Sequence, residues 1–102
     1  MALKDNKETR LQKRVQAYIE SLGGYCFKVH GSAYMKAGIP DIVACLEGRF
    51  VGIECKVDKN KPSELQLAHG RLIEKAGGVF MVIYSLEEVK ENLYYEGFAV
   101  DY

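Results

Sequence analysis

Three ionisable residues, Asp41, Glu54 and Lys56, flank two short apolar runs and are the part of the sequence best suited to chemistry. Two apolar runs separated by a few turn-forming residues predict a β-hairpin. If Glu47-Gly48 is a two-residue turn, Asp41 lies opposite Glu54 on one face of the sheet, with Cβ atoms about 5 Å apart. Lys56 lies two residues beyond Glu54 and therefore faces the same side.

Two carboxylates held this close repel each other, and an oxygen-ligated divalent cation between them would relieve the conflict. The backbone carbonyl of Cys55 projects between Glu54 and Lys56 and could add an oxygen ligand. Such a cation polarises water and holds a phosphate oxygen, while the Lys56 ammonium stabilises developing negative charge. The three residues therefore suit metal-assisted attack of water on a phosphodiester.

Two other interpretations of these residues stay open. A three-residue turn would pair Asp41 with Cys55 and send Glu54 to the opposite face, because side chains alternate along a strand. Charged residues at strand ends also commonly form only a surface ion cluster. We favour the two-residue turn because it explains two acids that are otherwise misplaced at strand ends.

An amphipathic helix is predicted to precede the hairpin, because apolar residues recur at helical spacing over residues 6–22 and two glycines follow. Glu8 falls on the stripe of this helix that is predicted to be buried. It either belongs to the site or forms a capping box with Asp5 as the N-cap. Residues 25–30 alternate between apolar and polar side chains, as a strand does.

A second helix, a strand and a third helix are predicted after the hairpin. Ser63 and Gln66 have the spacing of a capping box. The expected buried stripe of the second helix comprises Leu65, Ala68, Leu72 and Ala76. The apolar run 79–84 is typical of a central strand covered on both faces, and the intervening helix allows a parallel crossover. We therefore predict an α/β or α+β fold, a mixed sheet flanked by helices.

Composition suits one compact domain over residues 1–102, since 48% of the residues are hydrophobic. The 14 basic and 14 acidic residues cancel, so binding to a nucleic acid would depend on local basic patches. Cys26, Cys45 and Cys55 lie in strand-like runs without metal-binding spacing, and we expect reduced core residues. No run suits a membrane span and the charged start is unlike a signal peptide, which predicts a cytoplasmic protein.

The same residues also resemble a known group of nucleases. Pro40-Asp41 followed by Glu54-Cys55-Lys56 matches the PD-(D/E)xK signature of the restriction-endonuclease-like superfamily. More narrowly, the chain resembles the VRR-NUC (virus-type replication-repair nuclease) family over about residues 8–84. The matching features are Gly38-Ile39-Pro40-Asp41, the Glu54 strand, Gln66 in the next helix, Gly77-Gly78 after it, and Glu8 in the first helix.

The resemblance implies an αβββαβ core and dependence on Mg²⁺ or Mn²⁺. It implies that Asp41 and Glu54 are metal ligands and that Lys56 is the catalytic lysine. It adds Glu8, which would reach the metal directly or through water, and Gln66 as supporting members of the site. Small stand-alone members of the family, typical of phages and bacteria, are associated with homodimers that act on branched DNA such as four-way junctions.

The expected function is therefore a metal-dependent, structure-selective DNA endonuclease in a bacterial or phage-infected cell. Basic residues of the first helix, the first strand and two loops are expected to contact DNA phosphates: Lys7, Arg10, Arg14, Lys28, Lys36, Lys59 and Lys61. Two alternatives stay open. One is an end-directed or nicking nuclease that assists a replication helicase, and the other is a noncatalytic nucleic-acid-binding module.

Overall fold

The computed structural model describes residues 5–30 and 37–102, which form three helices and a four-stranded sheet. The elements in chain order are α1 (Lys7–Ser21), β1 (Tyr25–Lys28), β2 (Ile42–Leu46), β3 (Arg49–Cys55), α2 (Glu64–Lys75), β4 (Val79–Ile83) and α3 (Leu86–Tyr95). The strands lie in the order β1-β2-β3-β4; the first two pairings are antiparallel and the last is parallel. The predicted mixed sheet flanked by helices, with its αβββαβ order, is confirmed.

The turn between β2 and β3 has two residues, and it fixes the register of the hairpin. Glu47 and Gly48 both have positive φ angles, 51° and 75°, as a type I′ turn requires. Leu46 consequently pairs with Arg49, and at the other end of β2, Ile42 pairs with Ile53. This pairing confirms the two-residue turn and excludes the three-residue alternative.

The core lies on the face of the sheet that α1 and α3 cover. Its buried side chains are Leu11, Val15, Ile19, Ile42, Ala44, Leu46, Val51, Ile53, Cys55, Val79, Met81, Ile83, Val89, Leu93 and Phe98. The prediction that all three cysteines lie in the core is wrong for Cys45, which is exposed. In β2, side chains alternate between the faces, so Cys45 points away from the core that contains its neighbours Ala44 and Leu46.

The prediction that residues 79–84 form a central strand is wrong, because β4 lies at the edge of the sheet. Its apolar character has another cause, which is that helices pack on both of its faces. Val79, Met81 and Ile83 belong to the core with α3, whereas Phe80 lies against α2. Coverage on both faces therefore explains the apolar run without a central position.

The predicted buried stripe of α2 is also wrong, since Leu65 and Leu72 are 48% and 61% exposed. The buried residue of this helix is Gly70. A Cβ atom at Gly70 would lie 2.3 Å from carbon atoms of the Phe80 ring. α2 therefore packs on β4 through Gly70, and Leu65 and Leu72 lie to the side of this contact.

The predicted N-terminal cap is confirmed for α2 and is wrong for α1. The capping box of α2 is confirmed, because Gln66 N donates to Ser63 Oγ (3.1 Å) and Ser63 N donates to Gln66 Oε1 (2.8 Å). In α1 the N-cap is Asn6 rather than Asp5. Asp5 instead forms an ion pair with Lys13, about two helical turns further along the helix surface (2.6 Å). Among the described residues, no helix is long and apolar enough to cross a membrane.

Candidate active site

Asp41 and Glu54 face each other at the open end of the β2–β3 hairpin. Asp41 N donates to Glu54 Oε1 (3.3 Å), and Cys55 N donates to Asp41 Oδ2 (2.9 Å). Each carboxylate is therefore hydrogen-bonded to the backbone of the opposite strand. These reciprocal bonds hold the two acids at contact distance, as the predicted register requires.

Glu54 is fully buried, with 0% of its surface exposed. Its Oε2 atom accepts no hydrogen bond from the described residues. Burial, together with the neighbouring Asp41 carboxyl, raises the pKa of Glu54 to about 8. A buried carboxylate beside another acid is costly in its charged form. The carboxyl therefore retains a proton near neutral pH unless another positive charge enters the site.

Lys56 brings a cation to the edge of this pair. Its Nζ atom lies 3.8 Å from Glu54 Oε2, and 18% of its side chain is exposed. The backbone of Lys56 is fixed by the parallel pairing, since its N donates to the carbonyl of Ile83 (2.9 Å). At 3.8 Å the ammonium is close enough to attract Glu54 and leaves its N–H groups available to a bound phosphate or water.

The donor set fits a hard divalent cation with few protein ligands. No three His, Cys, Asp or Glu side chains come together as a metal cluster in residues 5–30 and 37–102. Mg²⁺ commonly binds proteins through one or two carboxylates and keeps several waters. Asp41 and Glu54 supply that pair, and the buried Glu54 Oε2 without a hydrogen bond is the atom that would bind the ion.

Glu8 lies in the first turn of α1 and is half-buried. The pKa of the Cys55 thiol is raised mainly by burial, and the charges of Asp41, Glu54 and Glu8 raise it further. The Glu8 carboxylate is therefore close enough to the end of β3 to affect the pKa of the Cys55 thiol. Gln66 uses its side-chain oxygen in the capping box, which leaves its amide NH₂ for another partner. The roles of Glu8 and Gln66 in a site remain predictions.

The Gly38-Ile39-Pro40-Asp41 segment is shaped to place Asp41. Gly38 has a φ angle of 85°, and a Cβ atom there would lie 2.7 Å from Leu65 and 3.0 Å from His69. Pro40 is buried against Gly52 of β3, where a Cβ atom would lie 3.0 Å from the proline ring. The segment therefore packs closely on α2 and β3 immediately before the acid.

A cleft beside this site contains three of the predicted DNA-binding residues. Lys7, Arg10 and Arg14 line it, and its volume is about 260 Å³. The remaining lining residues are Leu11, Val57, Asp58 and Tyr84. Asp58 and Tyr84 were not predicted as part of a site, although both lie in loops that follow strands, where binding residues are common.

The other predicted DNA contacts are dispersed. Lys59 and Lys61 are exposed in the segment between β3 and α2, and Lys28 is half-buried at the end of β1. Lys36 lies outside the described residues. His30, a lone histidine after β1, is exposed.

Comparison with known proteins gives structural matches only. No family model matches the chain, and no curated protein matches it. A solved structure described as a VRR-NUC domain matches with a TM-score of 0.75 and 28% identity, over 92% of this chain and 100% of that chain. A structure described as a VRR-NUC domain protein has a TM-score of 0.68 and 21% identity, over 91% and 89%. The Holliday junction resolvase Hjc of Archaeoglobus fulgidus has a TM-score of 0.59 and 21% identity, over 76% and 67%.

The order of elements, the mixed sheet and these matches define a restriction-endonuclease-like fold. Within that class, the chain has the VRR-NUC nuclease fold. The resemblance found from the sequence motifs is thereby confirmed.

Proposed function

We propose that the protein is a metal-dependent DNA endonuclease that cuts branched DNA such as four-way junctions. The observation that carries the proposal is the fully buried Glu54, opposite Asp41 and 3.8 Å from Lys56, within a VRR-NUC nuclease fold. The resemblance to an archaeal Holliday junction resolvase supports the choice of branched DNA. The full burial of Glu54 beside Asp41 favours this function over a surface ion cluster.

Asp41, Glu54 and the Cys55 carbonyl would hold Mg²⁺ or Mn²⁺, with Glu8 as a further ligand directly or through water. The ion would supply positive charge at the scissile phosphate and acidity to a nearby water. Lys56 would donate a hydrogen bond to a nonbridging phosphate oxygen or to the attacking water, because its ammonium faces the same side as the acids. The reciprocal backbone bonds of Asp41 would keep these groups positioned before DNA arrives.

The first prediction is that labelled four-way junctions are cut in Mg²⁺ or Mn²⁺, and that Lys56→Ala lowers the rate about 100-fold. The reason is the loss of the cation that faces developing negative charge. The measurement compares junction, flap and linear duplex substrates, with chelator and with Lys75→Ala, an exposed lysine of α2, as controls. Cutting of linear ends alone would support the end-directed alternative. No cutting by folded protein would reject the nuclease.

We also propose that the enzyme acts as a homodimer, because cutting both strands of a junction requires two sites. The face of the sheet opposite the core offers a surface for a second copy. Several uncharged side chains are exposed there, and we call them the apolar face: Tyr25, Phe27, Cys45, Phe50 and Leu72. Strand pairing places the first four on one side, and Phe50 and Leu72 line a common cavity of about 320 Å³. Because these five side chains are uncharged, this part of the face suits an apolar partner better than DNA.

The second prediction is that Phe27→Glu with Leu72→Glu weakens dimerisation at least 100-fold, since buried carboxylates without partners are costly in an interface. Light scattering after gel filtration would then show monomers, and junction products would change from paired cuts to single nicks. Tyr95→Glu, at an exposed tyrosine on α3, is the control. A monomeric wild type, or an unchanged dimer in the double variant, would reject this interface.

A further inference from the structure

The cleft next to the candidate metal site has a structure of its own that the proposed hydrolysis does not use. It lies where β3 and β4 end, since Val57 follows Lys56 and Tyr84 follows Ile83 in the chain. Ligands of sheets with parallel strands commonly bind beyond the carboxyl ends of those strands. Only two residues, Cys55 and Lys56, separate Glu54 from Val57, a span of at most about 10 Å in extended chain. The cleft therefore lies at the same end of the sheet as the candidate metal site.

The charges around the cleft suit a phosphate. Three cations and one carboxylate line it, and the carboxylate, Asp58, is paired with Lys7 at 3.0 Å. Both partners are well exposed, with 66% and 63% of their side chains accessible. An exposed ion pair contributes little free energy. A phosphate that enters the cleft can therefore replace Asp58 as the partner of Lys7 at little cost in free energy. Arg10 and Arg14 stand on the same wall, one helical turn apart.

Tyr84 supplies an aromatic wall that is fixed in place. Its hydroxyl donates to the carbonyl of Asn60 (2.6 Å), and its backbone N donates to Glu88 Oε2 (2.6 Å). The residue remains 39% exposed, so part of its ring is open to a ligand. Aromatic rings held next to a basic groove stack with unpaired bases in many proteins that bind single strands.

We propose that this cleft is a subsite for one unpaired nucleotide next to the cut, with its phosphate on Arg10 and Arg14 and its base or sugar against Tyr84. A cavity of about 260 Å³ has room for a group of that size. The inference rests on the proposed function and deepens it, because it makes an unpaired nucleotide beside the scissile bond part of the substrate. The nucleotide could be internal to a strand or carry a terminal phosphate. In either case Tyr84 is a positioning residue.

The test is binding of a labelled thymidine trinucleotide to the full chain carrying Lys56→Ala, measured with a chelator present so that cleavage is suppressed. We expect Tyr84→Leu to weaken binding about 10-fold or more, and Tyr84→Phe to have little effect because it keeps the ring. Arg14→Ala should weaken binding and reduce its salt dependence by about one phosphate contact. Tyr95→Leu and Arg71→Ala, both at exposed positions away from the cleft, are the matched controls.

A second arm compares trinucleotides with a 5′-phosphate and a 5′-hydroxyl. Tighter binding of the phosphorylated form indicates a terminal phosphate, and equal binding indicates an internal nucleotide. Either result supports the subsite if Tyr84→Leu abolishes the preference or the binding. Equal effects of the cleft variants and the controls would overturn it, even in an active enzyme. Conversely, trinucleotide binding that depends on Tyr84, in a wild type that cuts no DNA, would uphold the subsite and reject the proposed function.

Discussion

Glu54→Gln is expected to reduce metal-dependent cleavage at least about 1,000-fold while making the metal-free protein more stable at pH 8. The activity falls because the amide replaces the buried carboxylate that would bind the cation, and a metal ion contributes several kcal/mol to stabilising the transition state. The fold persists because glutamine has the same shape. Its oxygen can still accept from Asp41 N, and its NH₂ can donate to the Asp41 carboxyl.

The gain in stability follows from the pKa of Glu54, which is raised from 4.5 to about 8 in the folded protein. Between these values the folded state retains a proton that the unfolded chain has lost. The free energy of unfolding of the metal-free wild type therefore falls as the pH rises from 4.5 to 8. A neutral glutamine has no such proton to lose, so this contribution to the pH dependence disappears in the variant.

The experiment compares thermal unfolding of wild type and Glu54→Gln at pH 5 and pH 8, with and without Mg²⁺. The variant should gain stability over the wild type at pH 8, and Mg²⁺ should stabilise only the wild type. Glu74→Gln, at an exposed position on α2, is the matched control. An equally active variant would show that Glu54 is not a metal ligand, and an unchanged pH profile would show that it is ionised in the metal-free fold.

Gly70→Ala is expected to destabilise the protein by about 2 to 3 kcal/mol, although alanine is the better helix former by about 1 kcal/mol. The cause is the close packing of α2 on β4, because the new methyl group would lie 2.3 Å from the ring of Phe80. Either the ring must move or the helix must lift from the sheet. A loss of stability at a position where helix propensity alone predicts a gain is a sharp test of this contact.

Chemical denaturation of Gly70→Ala, Phe80→Leu and the double variant would measure the interaction free energy between positions 70 and 80 in a double-mutant cycle. We expect the double variant to lose less stability than the sum of the two single losses. The reason is that the smaller side chain introduced by Phe80→Leu leaves room for the new methyl group. Arg71→Ala, at the next and exposed position of α2, should change stability by less than about 0.5 kcal/mol. Additive effects at Gly70 and Phe80 would show that the ring does not set the cost.

The parts of the fold that local rules determine could be predicted from the sequence. The two-residue turn at Glu47-Gly48 fixed which residues oppose one another, and period-two alternation then placed Asp41, Glu54 and Lys56 on one face. The capping box at Ser63 was predictable for the same reason, because donor and acceptor are three residues apart.

The parts that depend on contacts between distant elements could not be predicted in this way. Helical spacing suggested that Leu65 and Leu72 were buried, but the close approach of Phe80 makes Gly70 the contact point of α2. Periodicity identifies the apolar side of a helix, but that side is buried only where another element covers it. In α2 the apolar side stays partly exposed. The N-cap of α1 was displaced by one residue because Asp5 and Asn6 are both good caps, and local sequence does not choose between them.

The short separation between the two acids bears on how the chain folds. Asp41 and Glu54 come from strands joined by a two-residue turn, so their charges meet as soon as this hairpin closes. Pairing of β3 with β4 requires a much longer loop to close, with a larger loss of chain entropy. The repulsion between the acids is therefore already present in a local folding unit, and we expect ions that neutralise it to affect the rate at which the hairpin forms as well as the stability of the folded protein.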